Sequence, residues 1–190
     1  MNNVILPSGF SLERYGLFVR LVKEEDAAFI VKIRTQNRHS RFISKTSEDE
    51  SRQVEWIRQY KEREKRGEDY YFVFEYPKGN PVGVNRIYNI CGSDFTTGSW
   101  VFASDAPVGA SLLGSIISKE IAYEELGLEH DFGQMFKENK SVVKLNFSYK
   151  PRIIRETEDE YYVLFDKAMF YKIKEKYVKL CVRQLKDSTV

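Results

Sequence analysis

The sequence predicts an α+β fold: a mixed, mostly antiparallel sheet with helices on both faces and a closing C-terminal helix. Three observations carry the prediction. Runs rich in β-branched and aromatic residues, such as Tyr70–Tyr76 and Val82–Tyr88, follow one another across short Pro/Gly turns, as in an antiparallel meander. Other stretches place apolar residues at helical spacing. The elements read β-α-α-β-β-β-α-β-α-β-β-α, with strands and helices intermingled and no internal repeat.

Residues 1–16, with Pro7, Ser8 and Gly9, read as a flexible lead-in. Phe18–Val22 alternates as a first strand, and the acidic Glu24–Asp26 suits the positive end of the helix that follows through Ala27, Ile30, Val31 and Arg34. Ser47 and Glu50 fit a capping box. The helix they open presents Val54, Ile57 and Tyr60 on one face and stops at Gly67. Its run Lys61–Arg66 mixes signs and reads as a solvated face.

Tyr70–Tyr76 and Val82–Tyr88 form a hairpin over Pro77–Pro81, and Phe95–Ala103 adds the next strand. The helix at about Ser111–Leu126 turns Leu113, Ile116, Ile117 and Ile121 inward and Lys119, Glu120, Glu124 and Glu125 outward. Asp131–Phe136 is a short strand and Ser141–Phe147 a short helix. Arg152–Arg155 and Glu160–Phe165 make a last hairpin before the closing helix from Lys167 to about Leu185. The expected division is a lead-in over 1–16, a domain over 17–166, and a C-terminal helix over 167–190. That helix packs on the domain or on a second subunit, which leaves a homodimer open.

Composition removes several function classes. The 190 residues are 42% hydrophobic, enough for one well-filled domain. Thirty basic and 28 acidic residues leave +2, so charge gives no argument for a nucleic-acid or membrane partner. Cys91 and Cys181 lie far apart and read as reduced thiols in a cytoplasmic protein. No stretch approaches the ~18–20 apolar residues of a membrane span. His39 and His130 have no neighbouring cysteine, so no metal site is expected. Nucleophile-elbow, Walker and Gly-x-Gly-x-x-Gly motifs are missing.

One region is chemically suggestive. Between Gly98 and Val143 a strand feeds a Gly-containing turn that opens a helix. Such a turn aims backbone N–H groups and a positive helix end at one point, which suits a pyrophosphate.

The chain resembles the GNAT superfamily of acetyl-CoA-dependent N-acyltransferases, in particular its bacterial small-molecule and sugar N-acetyltransferases. The matching residues are Val19-Arg-Leu-Val with Glu25-Asp26, Gln53 with Trp56 and Tyr60, and Tyr70-Tyr-Phe. They continue through Gly83 with Arg86 and Tyr88, Phe95 with Gly98-Ser-Trp100, Tyr123 with Leu126-Gly127, and Lys137 with Asn139 and Val142. Together they span about residues 17–165 in co-linear order.

The resemblance implies acetyl transfer from acetyl-CoA to the amine of a small molecule, with a nucleotide-linked amino sugar among the candidates. It also admits a catalytically silent CoA- or partner-binding domain, and a protein N-acetyltransferase. It implies that the strand before the turn splays from Asp131–Phe136. Trp100, Val101 and Phe102 would then offer strand backbone to the acyl-pantetheine arm. Val108, Gly109, Ala110 and Ser111 would hold the pyrophosphate, and Asn139 would bond the arm, although Asn139 equally suits capping the helix at Ser141.

Two departures from the family pattern stand out. The phosphate turn keeps one glycine, Gly109, and lacks the usual basic or amide residue. Asn146 occupies the place of the usual Tyr or His that protonates the leaving thiolate, and an amide cannot donate a proton near neutral pH. Lys150 replaces the glycine at that helix's end. Glu75 and Asp94 are the candidate bases. Arg34, Arg41, Arg86 and Tyr88 are the candidate acceptor-binding residues, with Arg86 and Tyr88 assigned to opposite faces of their strand.

Overall fold

The computed structural model describes residues 4–36, 42–43 and 46–187. Its strands are β1 (Ser11–Arg14), β2 (Leu17–Leu21), β3 (Tyr70–Glu75), β4 (Pro81–Cys91), β5 (Asp94–Phe102), β6 (His130–Phe136), β7 (Arg152–Glu156) and β8 (Glu160–Phe165). They form one eight-stranded sheet in the order β1-β2-β3-β4-β5-β6-β8-β7. Every pairing is antiparallel except β5 with β6. The helices are α1 (Ala27–Thr35), α2 (Glu50–Lys65), α3 (Ala110–Glu120), α4 (Lys140–Ser148) and α5 (Lys167–Asp187).

β3 shows why the sheet carries helices on both sides. All six of its residues are buried. Because side chains alternate along a strand, Tyr70, Phe72 and Phe74 enter one core and Tyr71 and Val73 the other. The first core is roofed by α3 and α5 through Leu113, Ile116, Ile117 and Phe170. The second is covered by α1 and α2 through Ile30, Ile33, Ile57 and Tyr60. The Tyr60 hydroxyl donates to the buried Glu64 and accepts from the Tyr71 N–H at 2.8 Å, so α2 is pinned to β3.

Several local expectations are corrected. The stretch read as a lead-in contains β1, which pairs with β2 from Ser11↔Arg20 to Arg14↔Leu17. The cap of α2 is Asp49, whose carboxylate accepts from Ser51 N at 2.9 Å, while Ser47 Oγ accepts from Asp49 N. α3 ends at Glu120 and widens into a π turn over Ile121–Glu125.

Lys119 and Glu120, expected outward, are buried. Glu120 accepts from Arg14, Tyr15 and Lys174, which ties α3 to β1 and to α5. Lys119 pairs with Asp131 of β6. α5 packs on the same domain: the Tyr76 hydroxyl donates to Leu185 O at 3.3 Å. No helix among the described residues is long and apolar enough to cross a membrane.

The Phe102 ring at the end of β5 fits against two glycines, Gly83 of β4 and Gly114 of α3, and a Cβ on either would overlap it. Gly114→Ala is therefore expected to cost about 1–3 kcal/mol through overpacking. Thermal unfolding should read this as a melting point lowered by about 2–4 °C per kcal/mol.

Candidate active site

The sheet opens in its middle. β5 and β6 are paired only from Asp94↔His130 to Thr96↔Phe132. Beyond Thr96 the strands separate, while β4 and β8 keep their outer edges bonded. The facing edges therefore present strand backbone to a cleft of about 1020 Å³.

A bulge accompanies the split. Val84 pairs with Val101 and Arg86 with Gly98, so Ser99 and Trp100 together oppose Asn85. Ser99 takes the left-handed conformation, φ +52°. A bulge bends its strand and leaves the extra residue out of the ladder.

The turn before α3 adjoins the cleft at Ser111, while Val108, Gly109 and Ala110 do not line it. Gly109 has φ +91°, and a Cβ there would stand 2.9 Å from the Cys181 carbonyl oxygen of α5, so both backbone conformation and space require glycine. Ala110 N donates to Pro107 O at 3.0 Å, and the amides that follow it in the first turn of α3 sit at the helix's positive end. The Trp100 indole donates to Ser111 O at 2.9 Å, which fastens β5 to this turn. Trp100, Val101, Phe102 and Ser111 line the cleft. Ala110 is buried, and Val108 is 60% exposed at the turn's outer surface.

Asn139 and Asn146 also line the cleft. Asn139 caps α4 by accepting from Val142 N at 3.4 Å, the alternative role left open by the sequence. Asn146 Nδ2 donates to Val142 O at 2.9 Å.

A second cavity of about 270 Å³ lies on the α1/α2 side, and Arg34, Arg52, Gln53, Trp56, Tyr71 and Arg86 line it. Arg34 Nε donates to Thr46 Oγ1 at 2.5 Å. Arg86 pairs with the buried Asp69, and its guanidinium lies over the rings of Trp56 (5.3 Å) and Tyr88 (4.9 Å). Burial opposes the Arg86 charge, yet the bonds to Asp69 hold its pKa above the ordinary value. The Tyr71 hydroxyl is fully buried near Arg34, and burial pushes it up. Ser99 lines both cavities, so the bulge is where they meet.

Some assignments change. Arg86 and Tyr88 share a face, because residues two apart in a strand point the same way; Arg86 faces the smaller cavity and Tyr88 the cleft. Glu75 lines neither cavity. It accepts from Arg20 Nε and Gly79 N, each at 2.7 Å, within an Arg20–Asp26–Glu75 cluster. Asp94 sits at the paired end of β5 against His130 Nδ1 at 2.7 Å, also away from both cavities.

Arg41 and His39 lie outside the described residues. No group of metal-ligating side chains occurs among those described. Sequence reasoning missed Arg52, Ser115 and Lys119. Ser111, Ser115 and Lys119 recur every four residues along α3, a signal that one face of the helix meets something polar.

A split antiparallel sheet whose gap faces a glycine-opened helix defines an acyltransferase fold. No protein-family model and no curated protein matches the sequence. Among solved structures, the chain is similar to apo FdhC, described as a nucleotide-linked sugar GNAT, with 30% identity over 93% of this chain and 99% of that one and a TM-score of 0.79. The chain belongs to the GNAT family of N-acetyltransferases. Its fold also matches Mycobacterium smegmatis RimJ in complex with CoA-disulfide (16% identity, 92% of each chain, TM-score 0.69). Campylobacter jejuni N-acetyltransferase PseH is a further fold match (21%, 80% of this chain and 99% of that one, 0.57).

Trp100→Phe keeps an aromatic side chain, though a smaller one, and removes the donor to Ser111 O. It should cost about 1 kcal/mol, seen in thermal unfolding as a melting point lowered by about 2–4 °C.

Proposed function

We propose that the protein transfers an acetyl group from acetyl-CoA to the amine of a small anionic molecule, with a nucleotide-linked amino sugar as the leading candidate. The observation that carries this reading is the meeting of the two cavities at Ser99. The cleft suits the pantetheine arm, and the left-handed glycine and helix start that adjoin it at Ser111 suit a pyrophosphate. The arginine-lined cavity suits an acceptor bearing phosphate or carboxylate. Between them, backbone N–H groups freed at the bulge can stabilise the developing oxyanion. Holding two reactants in line supplies much of the remaining rate.

The acceptor cavity argues against a protein N-acetyltransferase acting on cationic chains, for which acidic walls would be expected. The silent-domain reading has one observation in its favour, the bond that commits the Asn146 amide to Val142 O. The two are separated by measuring thermal stabilisation by acetyl-CoA and CoA release over a panel of amines that includes nucleotide-linked amino sugars. Stabilisation with turnover supports transfer. Stabilisation without turnover on any amine supports the silent CoA-binding domain, and no stabilisation overturns both acetyl transfer and CoA binding, leaving the partner-binding domain.

Val108→Glu places a carboxylate on the phosphate turn without disturbing the core. It should raise the KM for acetyl-CoA about tenfold, or about 1.4 kcal/mol, with an unchanged melting point. Arg52→Ala removes a largely exposed guanidinium (77%), paired only loosely with Asp49 at 3.7 Å. It should raise the KM for an anionic acceptor about tenfold and leave the KM for acetyl-CoA alone; equal effects on both substrates would count against the acceptor assignment.

A further inference from the structure

The departing CoA sulfur needs a partner for its charge, and Asn146, which lines the cleft where the family resemblance puts a proton donor, cannot release a proton. Among the described residues that line the cleft, the buried cation is Lys119. We propose that Lys119 is the group that receives the charge of the leaving thiolate, a role that rests on the acetyl-transfer reading above.

Three observations point to it. First, Ser111, Ser115 and Lys119 all line the cleft from one face of α3. Ten residues separate Lys119 from Gly109, and at 1.5 Å per residue this places it about 15 Å from the phosphate turn. That is comparable to the reach of an extended pantetheine arm.

Second, the ammonium is incompletely satisfied. It has three donors. Among the described residues its hydrogen bond is to Asp131 Oδ2, and the Phe165 ring stands 3.9 Å from Nζ. The cleft is another of its sides.

Third, the carboxylate that holds it is costly to bury. Asp131 is wholly buried, and its partners are Lys119 and the facing Tyr123 hydroxyl. Burial pushes the Asp131 carboxyl up against the opposing pull of Lys119. A buried ion pair costs desolvation that apolar residues would avoid. The place of Lys119 in the cleft lining gives that cost a use.

The step balances simply. The acceptor nitrogen forms the C–N bond, the C–S pair leaves on sulfur, and the nitrogen gives its surplus proton to water. Lys119 Nζ–H hydrogen-bonds the thiolate until it takes a proton from water on release. The groups facing Lys119 are Asp131 from β6 and Phe165 from β8, with Tyr123 of the π turn against Asp131. Glu160 is a further carboxylate on the cleft wall, bonded to Gln134 and Tyr162.

The test is the ionisation of the CoA thiol in its complex with the full chain, followed by the ultraviolet absorbance of the thiolate against pH. The variant is K119M/D131L, which removes both charges together so that neither is stranded. Thermal stabilisation by CoA reports binding in each case. The bound thiol is expected to titrate about one pKa unit or more below free CoA in the native protein, and the variant should lose that shift while still binding CoA.

A native-protein thiol titrating at or above the free value overturns the proposal, whether or not the variant folds. So does a depressed value that persists in the variant. Absence of CoA binding by the native protein overturns the acetyl-CoA reading itself, an outcome distinct from binding without a shift.

Discussion

The bulge at Ser99 is the constraint on which the site depends. A regular β5 would continue its ladder with β6 and close the sheet, leaving no strand edge for a ligand. With two residues of β5 opposite Asn85, the strand bends and the ladder to β6 stops at Thr96. The same residue that opens the cleft is the one both cavities share. One local backbone irregularity thus accompanies the gap and connects it to the arginine-lined cavity.

An opened sheet loses hydrogen bonds, and the surrounding structure supplies rigidity in their place. Trp100 ties β5 to the first turn of α3. Glu120 anchors the far end of that helix to β1 and α5, through Arg14, Tyr15 and Lys174. The Cys181 backbone closes over Gly109. α3 is therefore fixed at both ends, so its polar face stays aligned with the cleft. On the other face of the sheet, Tyr60 and the Arg20–Asp26–Glu75 cluster hold α2 and the start of α1 against β2 and β3.

Much of this was legible in the sequence. The meander, the glycine-opened helix and the closing helix follow from periodicity and turn chemistry, which are local. The splay of β5 from β6 was implied by the family resemblance. What escaped was non-local. Lys119 and Glu120 look solvated by residue type, and only the partners that β1, β6 and α5 bring to them explain their burial. Glu75 has the chemistry of a base, but its neighbours Arg20 and Gly79 N, one of them distant in sequence, decide that it is structural. Asp49 displaced Ser47 as the cap because both residue types cap well and their spacing cannot choose between them. Arg86 and Tyr88 were misassigned against the strand's own period, an error the alternation rule could have caught.

With Glu75 and Asp94 both engaged elsewhere, the acetyl-transfer reading must account for how an acceptor amine loses its proton. The arginine cavity offers an answer that needs no dedicated base. Guanidinium groups at Arg34, Arg52 and Arg86 would disfavour a further positive charge, and burial strengthens that effect at Arg34 and Arg86. Asp69 offsets Arg86, yet it lies behind the guanidinium and beyond the cavity lining. An amine placed among these groups is shifted towards its neutral, nucleophilic form, while an anionic portion of the same molecule is attracted. The same electrostatics that would select an anionic acceptor thus also prepares its amine, and water can carry the proton away. On this view the protein's contribution to the chemistry lies in where it places positive charge: guanidinium groups around the entering amine, backbone N–H groups at the bulge, and a buried ammonium beneath the departing sulfur.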